Sequence, residues 1–291
     1  MNTHTVQAHR KQPLNAQVLD MLKQFPDSEP MPAIFFGHGS PMFAINDTIF
    51  GRKIQSLSSQ IPTPSAILCI SAHWETRGTW LTAMPQPRTI HDFGGFPQAL
   101  FDVQYPAAGS VDLANATAQL ITVESVGLDD HEWGLDHGTW SVLRHLYPQA
   151  NIPVVQLSLD HYKTAEAHYA LAQQLSALRR KGVLIIGSGN IVHNLRMLDW
   201  NRSDTEAFGF DWALETDEKV KQAILSGNHD YLNDYRNNGK GFDMAIPTAE
   251  HYLPLLYTLA VQEAADDVMI FNEQATQGSL TMTSVAIGLS K

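Results

Sequence analysis

The sequence predicts a single α/β domain with a central, mostly parallel sheet flanked by helices. Three observations carry that expectation. Short apolar, β-prone runs alternate with helix-period segments from Pro32 onward, as crossover connections between parallel strands require. The chain has 291 residues, 44% hydrophobic and 17% charged, enough for one core that buries roughly 75% of the unfolded chain's surface. No stretch is rich enough in Pro, Gly and Ser to serve as an interdomain linker.

Taken in order, residues 1–31 read as an appended arm and 32–291 as the main domain. In the arm, Leu14, Val18, Met21 and Phe25 share helical spacing, predicting an amphipathic helix packed on the body. Strands are expected at 33–36, 66–71, 79–83, 153–159, 183–187, 268–272 and 281–287, and helices near 111–121, 139–147, 164–180, 213–225 and 254–263. Within 164–180, His168, Leu171, Leu175 and Leu178 share a face, and Gly182 follows as a stop signal. The segment 84–110 is long, irregular and rich in Pro and Gly; such loops in compact domains are often functional. It carries Arg88, His91, Asp92, Phe93 and Phe96, a set suited to walling a pocket.

A net charge of −11 argues against nucleic acid, whose phosphates need clustered Lys and Arg. No apolar run approaches the length of a membrane helix, and the N-terminal MNTHTVQAHRKQPLNAQ lacks the apolar core of a secretion signal. Cys69, the only cysteine, lies in an apolar run and reads as a buried small hydrophobe. Together these features predict a cytoplasmic location.

Of 13 histidines, His38, His73 and His193 stand just past the ends of apolar runs. In an open parallel sheet the strand C-termini share one edge, and ligands bind in the crevice there. Three imidazoles delivered to that edge are the parts of a mononuclear metal site. Gly37 and Gly39 flank His38, permitting close approach or unusual dihedrals. His193 follows Gly187-Ser188-Gly189, read as a flexible turn. His137, in GLDHG, precedes a helix pattern, and His251 stands in PTAEHYLP. Glu250 and His251 cannot easily share a metal if helical, since helix neighbours point about 100° apart; one is expected as the ligand, with the other either a support or, for Glu250, a charge favoured at a helix N-terminus. A hydrolase elbow at Ser188 lacks its outer glycines, and Gly187–Val192 is a truncated dinucleotide pattern.

The blocks GHGSPM, SAHWET, TIHDFGGFPQALFDVQYPAAGS, GLDHGTWSVL, LIIGSGNIVHNLR and PTAEHYLPLLY resemble the 4,5-DOPA extradiol dioxygenase family, within the class III extradiol ring-cleaving dioxygenases. The resemblance covers essentially 32–289. It implies one non-haem metal ion, metal ligands His38, His73 and His251, and His193 beside the metal as acid/base or fourth ligand. It places His137 in the same pocket. It implies Fe(II) for the oxygenase reaction, with Zn²⁺ able to occupy so histidine-rich a site. The expected substrates are a small catechol and O₂, the product a ring-opened semialdehyde, with Trp74, Phe93 and Phe96 available to pack on the ring. Two alternatives use the same residues: a zinc hydrolase, and a non-catalytic peptide- or ligand-binding protein on the same fold.

Overall fold

The computed structural model describes residues 16–289. Ten strands form: β1 Ala33–Gly37, β2 Ala66–Thr76, β3 Thr79–Thr82, β4 Val126–Asp129, β5 Val154–Asp160, β6 Val183–Gly189, β7 Val268–Phe271, β8 Ala275–Thr276, β9 Leu280–Thr281 and β10 Ser284–Ile287. Eight of them make one sheet, ordered β4-β3-β5-β2-β6-β1-β10-β7, while β8 and β9 pair as a separate ribbon. The central strands β5, β2, β6 and β1 are mutually parallel. Antiparallel pairings occur at β3–β5, β1–β10 and β10–β7.

The central strands are buried on both faces, and alternation assigns their side chains to two layers. Ala33, Phe35, Leu68, Ile70 and Ile185 join one core cluster with the helices Val111–Leu120, Ala165–Gln173 and Leu253–Ala260. Ile34, Phe36, Ile67, Cys69 and Ile186 join the other, under the helices Ile49–Leu57 and His137–Leu146. The arm contributes the helix Ala16–Leu22, whose Val18 and Leu22 are buried in the first cluster with Met21 and Phe25 packed against it. Leu14 lies outside the described residues.

Some expectations are corrected. β2 runs on to Thr76, so His73 lies within the strand rather than past its end. Pairing of β2 with β6 stops at Ser71, and its register with β5 slips between Ile70 and Glu75. His73 is therefore on a strand that has left the flat lattice. The expected strand over 281–287 is broken at Met282, whose N–H goes to the Gln274 carbonyl at 2.8 Å. The expected helix over 164–180 is α-helical to Gln173 and then tightens to 3₁₀ geometry, ending at Gly182 with φ 66°. The edge strand β4 and the helix Ile49–Leu57 were not anticipated; β4 is a short, half-exposed strand without a strong alternation. No helix among the described residues is long and apolar enough to cross a membrane.

Candidate metal centre

All five histidines singled out by sequence meet at the C-terminal edge of the central strands. His38 leaves β1 directly, its N–H bonded to the Gly189 carbonyl at 3.0 Å. Its flanking glycines are both required. A Cβ on Gly37 would meet the Met282 backbone at 2.6 Å, and Gly39 has φ 61°. His137 is the first residue of its helix, capped by Asp136, which accepts from the Thr139 N–H at 3.1 Å. His251 sits in the turn before the helix Leu253–Ala260, its carbonyl accepting from the Asn190 N–H at 2.9 Å. His193 follows β6 and is held by its N–H to the Ala245 carbonyl at 2.9 Å.

The reading of Gly187-Ser188-Gly189 as a flexible turn is overturned. These residues complete β6 and are buried. A Cβ on Gly187 would lie 2.4 Å from the Pro254 carbonyl, and one on Gly189 2.1 Å from the His251 carbonyl. The glycines are there for close approach of the chain that carries His251, not for mobility.

The rings form one cluster. Nε2 of His38 and Nε2 of His73 are 3.2 Å apart. Ring centroids separate His38 and His251 by 5.3 Å, His73 and His251 by 5.0 Å, and His73 and His137 by 3.8 Å. His193 stacks face to face on His251 at 3.4 Å. Candidate ligand atoms of His38, His73 and His137 lie within 4.8 Å of one another, as do those of His193, Glu250 and His251.

Hydrogen bonds orient these rings. The Ser188 hydroxyl donates to the Gly138 carbonyl at 2.6 Å, so at 2.9 Å from His38 Nδ1 it must accept. His38 therefore carries its proton on Nδ1 and leaves Nε2 bare. His251 Nδ1 faces Glu250 Oε1 at 3.2 Å, and His137 Nδ1 faces Asp92 Oδ2 at 2.9 Å. His73 Nδ1 has the same Asp92 oxygen at 3.5 Å. A carboxylate or hydroxyl oxygen behind Nδ1, with Nε2 turned inward, is the usual support of a metal-binding imidazole.

Electrostatics agree. Burial, then the neighbouring imidazoles, holds His38 and His251 well below the usual histidine range. Burial and His137 press His73 down to about 3 against the pull of Asp92, and burial lowers His193 to about 4 against Glu250. All four are neutral at physiological pH, the form that binds metal. At 3.2 Å the two Nε2 atoms must either share a proton, His73 donating to the bare nitrogen of His38, or flank a cation. Two imidazole ligands of one ion, each at about 2.1 Å, stand roughly 3.0–3.4 Å apart at right-angled to tetrahedral geometry. The donor set thus fits a divalent metal ion.

Other expected wall residues divide. Phe93 packs edge-on to His137 at 5.4 Å, with Phe96 behind it at 5.5 Å. Trp74, next to His73 on β2, stacks on Trp133 at 5.8 Å and lines a separate cleft of about 340 Å³ with Trp80 and Leu128. Arg88 reaches the Glu132 carbonyl at 2.5 Å, and His91 Nε2 the Val103 carbonyl at 2.9 Å; both serve the loop rather than the cluster. Sequence reasoning missed Asp136, Ser71, Gln156 and Ser188. Asp136 is fully buried and receives the Ser71 hydroxyl and the Gln156 amide, each at 2.7 Å. Its place just before a helix was the one available signal.

A mixed α/β sheet presenting neutral, inward-aimed imidazoles at its strand C-termini is the frame of a metal-dependent enzyme. Residues 33–287 match the family described as the catalytic LigB subunit of aromatic ring-opening dioxygenase, and the chain belongs to that family. It is 45% identical over 265 residues to 4,5-DOPA dioxygenase extradiol of Escherichia coli (strain K12), covering 90% of this chain and 96% of that protein. It is 39% identical over 227 residues to 4,5-DOPA dioxygenase extradiol of Beta vulgaris, covering 76% and 83%. The crystal structure of an uncharacterized protein from Escherichia coli K12 superposes with a TM-score of 0.77 at 40% identity, covering 89% of this chain and 100% of that one.

Proposed function

We propose that this chain opens the ring of a DOPA-like catechol with O₂ at the bond outside the diol, giving a semialdehyde. We assign the metal to His38, His73 and His251, with His193 beside it as proton carrier or fourth ligand and His137 facing the bound substrate. The observation that carries the reading is the convergence of buried, neutral imidazoles with their Nε2 atoms bare, inside a chain of the ring-opening dioxygenase family.

The histidines that would hold a metal there suit ferrous iron, which when bound would supply the redox chemistry between an electron-rich ring and O₂ that redox-inert Zn²⁺ cannot. The protein's own part is positioning and proton transfer. A catechol must lose phenolic protons on binding, and His193, neutral and stacked on His251, is placed to take one and later return it. His137, on a helix N-terminus and beneath the edge of Phe93, is placed to hydrogen-bond substrate or oxygen. Phe93 packs on His137 from the loop side and would meet a ring bound there.

The test is anaerobic loading of the metal-free protein with Fe(II), then O₂ consumption against a panel of catechols. Uptake with formation of a yellow semialdehyde is expected from the iron form. A zinc form that turns over equally fast without iron would overturn the oxygenase reading.

A further inference from the structure

The long loop between β3 and the helix Val111–Leu120 does more than supply Phe93. We propose that Asp92 is a positioning residue for ring opening: its carboxylate sets the tautomer of His137, with the proton on Nδ1, and so fixes which face that ring turns to the centre. The proposal deepens the functional reading above and rests on it for what His137 does.

Asp92 makes three contacts, all to His137 and His73. Oδ1 accepts the backbone N–H of His137 at 2.9 Å. Oδ2 stands 2.9 Å from His137 Nδ1 and 3.5 Å from His73 Nδ1. No other partner is near either Nδ1 among the described residues. A carboxylate only accepts, so it selects the Nδ1–H form of an imidazole facing it. The position also lies at the N-terminal end of the helix His137–Leu146, where a negative charge is favoured.

The loop is bolted down just before Asp92. Ile90 N–H bonds the Leu135 carbonyl at 2.7 Å, Leu135 N–H the Arg88 carbonyl at 2.8 Å, and Trp140 Nε1 the Ile90 carbonyl at 2.8 Å. Phe93 then lies on His137. The carboxylate and the aromatic wall are thus carried on consecutive residues, so the loop that shapes the substrate side also holds the His137 ring.

The direct test needs no substitution. Long-range ¹⁵N correlation spectra of the metal-free protein should show His137 protonated at Nδ1. An Nε2–H tautomer would overturn the proposal. In Asp92→Asn, the amide has a donor as well as an acceptor, so one edge can face His137 Nδ1 with N–H. The Nε2–H form of His137 should then gain population, and kcat of the iron form should fall about 10–100-fold, the usual effect of removing such a support, with KM changed less than kcat. Asp92→Glu, which keeps the charge, should restore the Nδ1–H form at least in part. Unchanged tautomer and kcat in Asp92→Asn, with circular dichroism matching wild type, would sink the assignment. If the tautomers behave as stated but no catechol is consumed by wild type, the functional reading fails and the positioning role stands.

Discussion

At the scale of residues, the centre is defined by where protons sit. Each of His38, His137 and His251 has an oxygen behind Nδ1, and the hydroxyl behind His38 leaves its Nε2 a lone pair turned toward His73. Removing any true ligand should lower metal content. Elemental analysis of His38→Ala, His73→Ala and His251→Ala is expected to show lost or weakened binding, and His137→Ala is expected to retain it. The compact grouping of His38, His73 and His137 makes that last variant decisive: loss of metal there, with retention in His251→Ala, would exchange the two roles. His193→Ala should keep most of its metal and still change the spectrum of a catechol mixed anaerobically, while turnover falls about 10²–10⁴, the worth of a positioned acid/base. Complete metal loss would make His193 a fourth ligand instead.

Among elements, the strand ends were more legible than their extensions. Ile34, Phe36, Ile67 and Ile186 announce strands through composition alone, because β-branched and aromatic runs suit doubly covered strands. That β6 continues through Gly187-Ser188-Gly189 was not legible, because glycine at a turn and glycine at a close contact look the same in sequence. The distinction is measurable. Gly189→Ala puts a methyl group where the His251 carbonyl stands at 2.1 Å, so backbone must move. We expect metal affinity to drop along with stability. A flexible turn would tolerate alanine, which is stabilising where the native dihedrals suit it by about 0.4–1 kcal/mol; a rise in melting temperature with normal metal content would contradict the packing account. Likewise Asp92 was readable only as a wall residue, since its contact with His137 spans 45 positions.

Across the whole molecule, buried polar groups tie distant segments together. Arg179, fully buried, bonds the Met31 and Val261 carbonyls at 2.6 and 2.8 Å and both oxygens of Asp266. It fastens the entry to β1 to the segment after the helix Leu253–Ala260. His168 joins the helix Ala165–Gln173 to Tyr257 at 2.9 Å and to the Asp160 carbonyl at 3.2 Å. Burial lowers its pKa to about 4, against about 6.5 in the unfolded chain. Between those values the unfolded state binds the extra proton, so stability falls as pH drops from 6.5 toward 4, by up to about 3 kcal/mol from this group. Urea unfolding of the metal-free protein at pH 7 and pH 5 should show a smaller loss for His168→Gln than for wild type. Equal losses would mean that His168 is not held neutral by the fold.

The sequence alone determined the α/β class, the parallel central strands and the five histidines that the fold gathers into one cluster. Local composition and periodicity specify those, because strand runs and the residues that end them are contiguous in the chain. Only the tertiary structure decided which nitrogen of each ring faces the centre. It also sent Trp74 to a separate cleft while His73 joined the cluster, since consecutive strand residues take opposite faces. And it brought Ser188, Asp92 and Glu250 behind His38, His137 and His251. Tautomer and orientation depend on hydrogen-bond partners supplied by other segments, and for Ser188 and Asp92 the sequence separation hides the partnership until the chain is folded.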